Sequence, residues 1–285
     1  MVALTRRSGS IALAAIGLSL VAGAARADVL PVTNLQFNVL TNPFTPGNDQ
    51  KDYFNSVAPV GWSVGTAGAD GSLTYVGKQG SEGFQGAVGN VYPVYTNPGF
   101  SVTVPAGTNF FQADGNPDFE NTIFQTVSGL TAGTTYTLQF QQAAGQQTTF
   151  TGDTTEQWKV FLGVGGIGVD CSTNPCTVTG TTNNIEVDST LMSTASQHNV
   201  DWNSVNMSFT PTADDLIDGG TAAVLTFLAW GDNGSTTNLP PTVFLEGVNT
   251  TPVLPEPATL AVLGVGLLGL GGLKLRSRAK RNAAD

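Results

Sequence analysis

Two short stretches of this chain set oxygen and aromatic side chains at spacings suited to binding chemistry. Asp114-Gly115-Asn116-Pro117-Asp118-Phe119-Glu120 carries an oxygen-bearing side chain at every second position. Hard cations such as calcium prefer carboxylate and carbonyl oxygens presented in this way. An EF-hand would need glycine at the sixth position and glutamate at the twelfth, where this chain has Phe119 and Gln125. Asp114, Asn116, Asp118 and Glu120 are candidate ligands for a structural calcium site on a loop. The alternative is a solvated acidic turn capped by Asp114. The second stretch, Trp230-Gly231-Asp232-Asn233-Gly234, puts an indole at a strand end before a polar loop. A flat aromatic face suits the apolar face of a sugar ring, with amides and carboxylates taking the hydroxyls. Trp230, Asp232 and Asn233 are the candidate ligand-binding residues. Trp62 and Trp158 are flanked by apolar alternation and are assigned to the core.

Catalytic patterns are sparse, and the chain is not expected to be an enzyme. His198 is the one histidine, with Asp201 three residues on, and no Gly-x-Ser-x-Gly elbow occurs. A glycosidase needs two carboxylates about 5–9 Å apart, and no spacing in the sequence singles out such a pair. Cys171 and Cys176 are the only cysteines and enclose Ser-Thr-Asn-Pro. Redox motifs place two residues between the cysteines rather than four, and a metal site would lack partners. A disulfide stapling a local hairpin is the expectation, in an oxidising compartment.

The elements that position these residues read as strands. Short apolar runs alternate with Gly, Asn, Pro and Asp turns, and helical periodicity is nearly absent. Strands are expected over 34–40, 61–64, 73–76, 109–113, 122–127, 134–142, 157–162, 184–187, 203–211, 222–230 and 242–248. A single helical turn is expected over 213–218. Tyr136, Leu138 and Phe140 alternate with Thr137, Gln139 and Gln141, the period of a sheet with one face in a core. The fold class is all-β, a β-sandwich spanning 28–254.

Charge divides the chain sharply. Between 28 and 254 stand three lysines (Lys51, Lys78, Lys159) and no arginine, against nineteen acids, a formal charge of −16. Nucleic-acid binding needs cations to displace phosphate counterions, and phosphate recognition relies on arginine forks or lysines. Neither class fits. The other eight basic residues lie at the two ends. Arg6 and Arg7 precede an apolar run from Ile11 to Ala24, and Ala25-Arg26-Ala27 gives a small-x-small cleavage pattern. Residues 1–27 read as a signal peptide cut after Ala27, so that the mature chain begins at Asp28. Export machinery and signal peptidase are the implied partners.

At the other end, Pro255-Glu256-Pro257 leads into an apolar run from Ala258 to Leu273, then Lys274, Arg276, Arg278, Lys280 and Arg281. As a helix the run spans roughly 24 Å at about 1.5 Å per residue, a little short of a roughly 30 Å hydrocarbon core. Leu275 and an outward-reaching Lys274 cover the deficit. A single transmembrane helix over 258–275 is expected, its basic tail cytoplasmic and residues 28–254 extracytoplasmic. This tail, residues 255–281, resembles the PEP-CTERM sorting signal: a Pro-Glu-Pro tripeptide, a Gly- and Leu-rich span and a basic cluster. The resemblance implies an exosortase acting near Pro255, Glu256 and Pro257, and a home in bacteria that make exopolysaccharide.

The body carries a second resemblance. Asn34 and Phe37, then Pro59, Gly61 and Trp62, read as "Asn-x-x-Phe … Pro … Gly-Trp". Gln125-Thr126-Val127, then Leu130, Ala132, Gly133 and Tyr136, read as a Gln-x-Val strand and a "Leu-x-Ala-Gly-x-x-Tyr" turn. This succession resembles galactose-binding-like jelly rolls, the fold of many carbohydrate-binding modules. Glu246-Gly247-Val248 stands where that pattern has Asp-x-Val. The resemblance implies a jelly-roll sandwich binding exopolysaccharide at loops. The expected role is an exported surface or extracellular-matrix protein of a biofilm. The rival roles are an envelope protein that self-associates through the edges of strands such as 134–142, with no glycan ligand, and, further off, a glycoside hydrolase.

Overall fold

The period-two patterns become strands that close on two sheets. The computed structural model describes residues 27–34, 36–44, 51–65, 74–81, 94–95, 108–116, 122–235, 237 and 239–247. The strands are β1 (Asp28–Val29), β2 (Lys51–Tyr53), β3 (Ser63–Val64), β4 (Thr74–Lys78), β5 (Asn109–Asp114), β6 (Thr122–Ser128), β7 (Tyr136–Gln146) and β8 (Thr154–Gly163). They continue as β9 (Gly168–Asp170), β10 (Thr177–Thr179), β11 (Asn184–Asp188), β12 (Met192–Thr194), β13 (Asn199–Phe209), β14 (Ala222–Gly231) and β15 (Pro241–Glu246). A first sheet runs β2–β4–β5–β15–β7, with β1 and β13 also on β7. A second runs β3–β6–β14–β8–β11, with β12 also on β8. The β9–β10 hairpin forms its own two-stranded ribbon. Residues Ala27–Val253 form one compact unit.

The inner faces of the two sheets meet in one core. Val76, Phe111, Leu138, Phe140, Met207 and Leu245 come from the first sheet, and Ile123, Trp158, Val160, Leu225 and Phe227 from the second, all buried. Trp62 and Trp158 are both core residues, as their flanking alternation predicted. Phe227 receives the edges of Trp158 and Phe140 at 5.9 and 5.3 Å between ring centroids, a favourable aromatic arrangement. Trp158 also donates its indole N–H to the Phe244 carbonyl at 2.9 Å, which satisfies its one polar atom across the sheets.

The expected strand over 34–40 does not form. Asn34 has φ +50° and Phe37 φ +54°, left-handed conformations that end an extended run. The Asn34 side chain takes over the loop: its amide donates to the Val39 and Val60 carbonyls, and its oxygen accepts the Val39 N–H. This is local capture of backbone groups by asparagine. Phe37 is still fully buried, its ring 4.1 Å from Phe111 and 5.3 Å from Trp62. Gln125 closes the corner, accepting the Thr33 N–H at 2.7 Å and donating to the carbonyls of Thr33 and Gly61. Gly61, at φ +86°, has no room for a side chain, since a Cβ would lie 3.0 Å from Thr33 Oγ1 and 3.1 Å from Gln125 Nε2. Gln125 of the second quoted pattern thus ties the residues of the first into one corner. Tyr136 anchors the second pattern by accepting the Thr131 N–H on its hydroxyl at 2.8 Å.

Two other expectations change. Strand 134–142 was a candidate edge, but β7 is central, paired by β15 and by β13. The turn expected over 213–218 appears as a 3₁₀ turn at Ile217–Gly219. Strands β1, β2, β9, β10 and β12 are two or three residues long and too short to show a period. Among the described residues no helix is long and apolar enough to cross a membrane. The span 258–275, the basic tail, residues 1–24, Ala25 and the tripeptide Pro255, Glu256, Pro257 lie outside the described residues.

Candidate functional site

The outer face of the second sheet is built from three cross-strand rows. One runs Ser63, Phe124, Thr226, Phe161, Glu186; the next Thr122, Leu228, Lys159, Asp188; the third Thr126, Val224, Gly163, Asn184. The β9–β10 hairpin lies over one half of this face, covering Phe161, Leu228 and Trp230 with Ile167, Val169, Val178 and the two cysteines. Its root needs glycine: Gly180 has φ +71°, and a Cβ there would lie 2.0 Å from the Gly166 carbonyl oxygen. Among the described residues nothing covers the other half of the face. There a groove of about 370 Å³ is lined by Phe124, Val224, Thr122, Thr226 and the backbone of Gly165 and Gly166, a size within the roughly 300–1,000 Å³ of small-molecule sites. Among the described residues no charged side chain lines it. Phe124 is half-buried, so part of its ring faces the groove.

The sequence-predicted residues fall elsewhere. Cys171 and Cys176 form the expected disulfide, with Cα atoms 4.3 Å apart, at the tip of the hairpin. Trp230 is not an open platform: it is 7 % exposed and packs beneath that hairpin. Lys159 Nζ lies 5.5 Å from its ring centroid, in reach of a cation–π contact, and is held by Glu186 at 2.7 Å and Asp188 at 3.2 Å. Burial lowers the Lys159 pKa, but the bonds and charges of these two carboxylates outweigh it, and the pKa is raised. Sequence shows a strand end at Trp230 but not the hairpin that folds over it. Asp232 turns inward instead, at φ +46°, accepting the Thr155 N–H at 3.1 Å. Asn233 lies in the same single turn, and its side chain lies outside the described ones.

Of the calcium candidates, Asp118 and Glu120 lie outside the described residues. Asp114 and Asn116 are buried at the end of β5, where Asp114 accepts the Asn116 N–H at 2.8 Å and Asn116 donates to the Thr237 carbonyl at 3.3 Å. Those bonds describe a capped turn. Among the described residues no group of three or more His, Cys, Asp or Glu could hold a metal. Asp28 starts β1, just after Ala27, and its N–H donates to the Thr135 carbonyl at 2.8 Å. His198 is an exposed turn residue.

One buried acid escaped the sequence reading. Glu156 is fully buried, accepting hydrogen bonds from the hydroxyls of Thr154 and of Thr194, the latter at 2.9 Å. Burial pushes its pKa from the ordinary 4.5 up to about 8; the two threonine bonds oppose this and the Asp232 charge adds to it. Extending the alternation back from Trp158 by one step would have placed Glu156 on the inner face.

No protein-family model and no curated protein matches the sequence. Among solved structures the chain is similar to TmCBM61 in complex with beta-1,4-galactotriose, at 12 % identity and TM-score 0.31, over 73 % of this chain and 96 % of that one. It is similar also to the CBM22-2 xylan-binding domain of Paenibacillus barcinonensis Xyn10C, at 9 % identity and TM-score 0.30, over 70 % and 96 %. A third similarity is to the enzymatically active domain of Bacteriophage CBA120 tailspike protein 4, at 12 % identity and TM-score 0.34. It covers 73 % of this chain, which spans 21 % of the tailspike's length.

Proposed function

We propose that this chain is an exported envelope or extracellular-matrix protein whose β-sandwich binds neutral polysaccharide in the open groove of its second sheet. The observation that carries the reading is the described lining, which holds no charge: the half-buried Phe124 beside Thr122 and Thr226, the apolar Val64, Val164, Ile167 and Val224, and the backbone of Gly165 and Gly166. A sugar ring presents an apolar face and a rim of hydroxyls, and this lining offers a partner for each. The groove's described lining has no carboxylate, which favours binding over glycoside hydrolysis. Many copies on a surface would turn weak single contacts into avidity. Export rests on the two ends of the sequence: signal peptidase cuts after Ala27, leaving β1 whole, and an exosortase acts near Pro255-Glu256-Pro257 before the protein reaches the surface or matrix.

Affinity electrophoresis against a panel of neutral polysaccharides tests the binding. Phe124→Ala is expected to weaken retention about tenfold, the scale of losing one stacked ring and its buried area, with thermal melting unchanged. Equal retention by the variant would sink the groove as the site. Intact mass of envelope and medium fractions tests the export, with Asp28 expected at the new N-terminus and the C-terminus trimmed near the tripeptide.

A further inference from the structure

Strand β13 borders the first sheet. It pairs with β7 along one edge, and among the described residues no strand pairs with the other. Natural edge strands carry charges, prolines or bulges that discourage a second chain from adding to them. Here that protection is uneven. The early part of β13 holds Asp201 and a bulge between Val200 and Asn203. From Asn203 to Phe209 the strand keeps regular register with β7 and contains no charge and no proline. Ser204, Asn206 and Ser208 are exposed, while Val205, Met207 and Phe209 are buried.

We propose that this edge is a homodimerisation surface, on which two copies add β13 to β13 antiparallel about a twofold axis at Asn206. The two first sheets would join into one. This goes beyond the glycan reading and uses none of the groove residues. A twofold interface must be complementary to itself, and this segment is. The axis sets Asn206 against its own copy, Ser204 against Ser208, and Val205 against Met207. An asparagine amide both donates and accepts, so an Asn–Asn pair satisfies itself, and hydroxyl pairs do the same. Each body is strongly acidic, so two copies approach at least cost along an uncharged strand. Main-chain ladder bonds supply affinity, and the alternating side chains fix the register.

The test uses the full chain in detergent. Directly opposite positions bring Cβ atoms to about 4.5–5.5 Å, so Asn206→Cys should form a covalent dimer under mild oxidant. Thr126→Cys, exposed on the second sheet, should not at the same concentration. In sedimentation velocity, Asn206→Lys puts two ammonium groups face to face and should weaken the dimer about tenfold, with circular dichroism unchanged. A monomeric wild type would overturn the proposal. So would a dimer indifferent to Asn206→Lys, or equal cross-linking at positions 126 and 206. Phe124→Ala should lose glycan retention and keep the dimer, so the two proposals fail separately.

Discussion

At the scale of single residues, Glu156 couples this fold to pH. Its carboxyl is buried at the end of β8, held by two threonine hydroxyls, and its pKa of about 8 stands well above the ordinary 4.5. Such a group binds its proton more tightly in the folded chain than in the unfolded one. Its stabilising contribution is complete below about pH 4.5, declines as pH rises, and is lost once pH passes about 8. The shift corresponds to on the order of 5 kcal/mol across that window. Glu156→Gln keeps the shape and removes the titration. The variant should therefore lose clearly less melting temperature than the wild type between pH 5 and pH 9. An equally steep drop in the variant would assign the pH dependence to other groups. Asp232 reinforces the same direction, because burial raises its pKa as well.

Among the elements, the β9–β10 hairpin decides how much of the second sheet faces solvent. Its strands are three residues each, too short to hold alone. It is tied down by the disulfide, by the Cys176 N–H donating to the Gly234 carbonyl at 2.9 Å, and by Trp230 packed beneath. Replacing both Cys171 and Cys176 with serine frees a loop whose closure entropy is about 2 kcal/mol. The hairpin amides should then exchange with solvent at rates near those of open loops, while β8 and β14 keep their protection. Unchanged exchange at the hairpin would mean that packing on Trp230 alone suffices. This element also explains what sequence could and could not reveal. Long alternations such as Tyr136, Leu138, Phe140 and Val205, Met207, Phe209 are legible because the pattern repeats several times. The 34–40 segment alternates just as well in Leu35, Phe37 and Val39, yet Asn34 overrides it by bonding the loop to itself. Trp230 was readable as an aromatic at a strand end, but the cover over it is a tertiary fact. Phe124 was readable only as a strand residue, because its groove exists through what the hairpin leaves open.

At the scale of the whole molecule, charge placement governs how copies meet. Residues 28–254 carry a formal charge of −16, so two bodies repel at long range whatever their contact strands offer. The proposed β13 pairing works against that repulsion and must therefore respond to salt in a definite direction. The Debye length falls from about 30 Å at 0.01 M to about 8 Å at 0.15 M ionic strength. Over that range the dimer should tighten as sodium chloride is added, then level off once screening is complete. Sedimentation equilibrium of the full chain in detergent at stepped salt measures this directly. A dimer that loosens with salt would mean that unlike charges hold the copies together, which an uncharged strand pair cannot supply. Asn206→Lys sharpens the reading, because it adds a local repulsion that salt also screens. The gap between variant and wild type should narrow as ionic strength rises if position 206 stands at the axis, and should stay constant if lysine acts by distorting the strand.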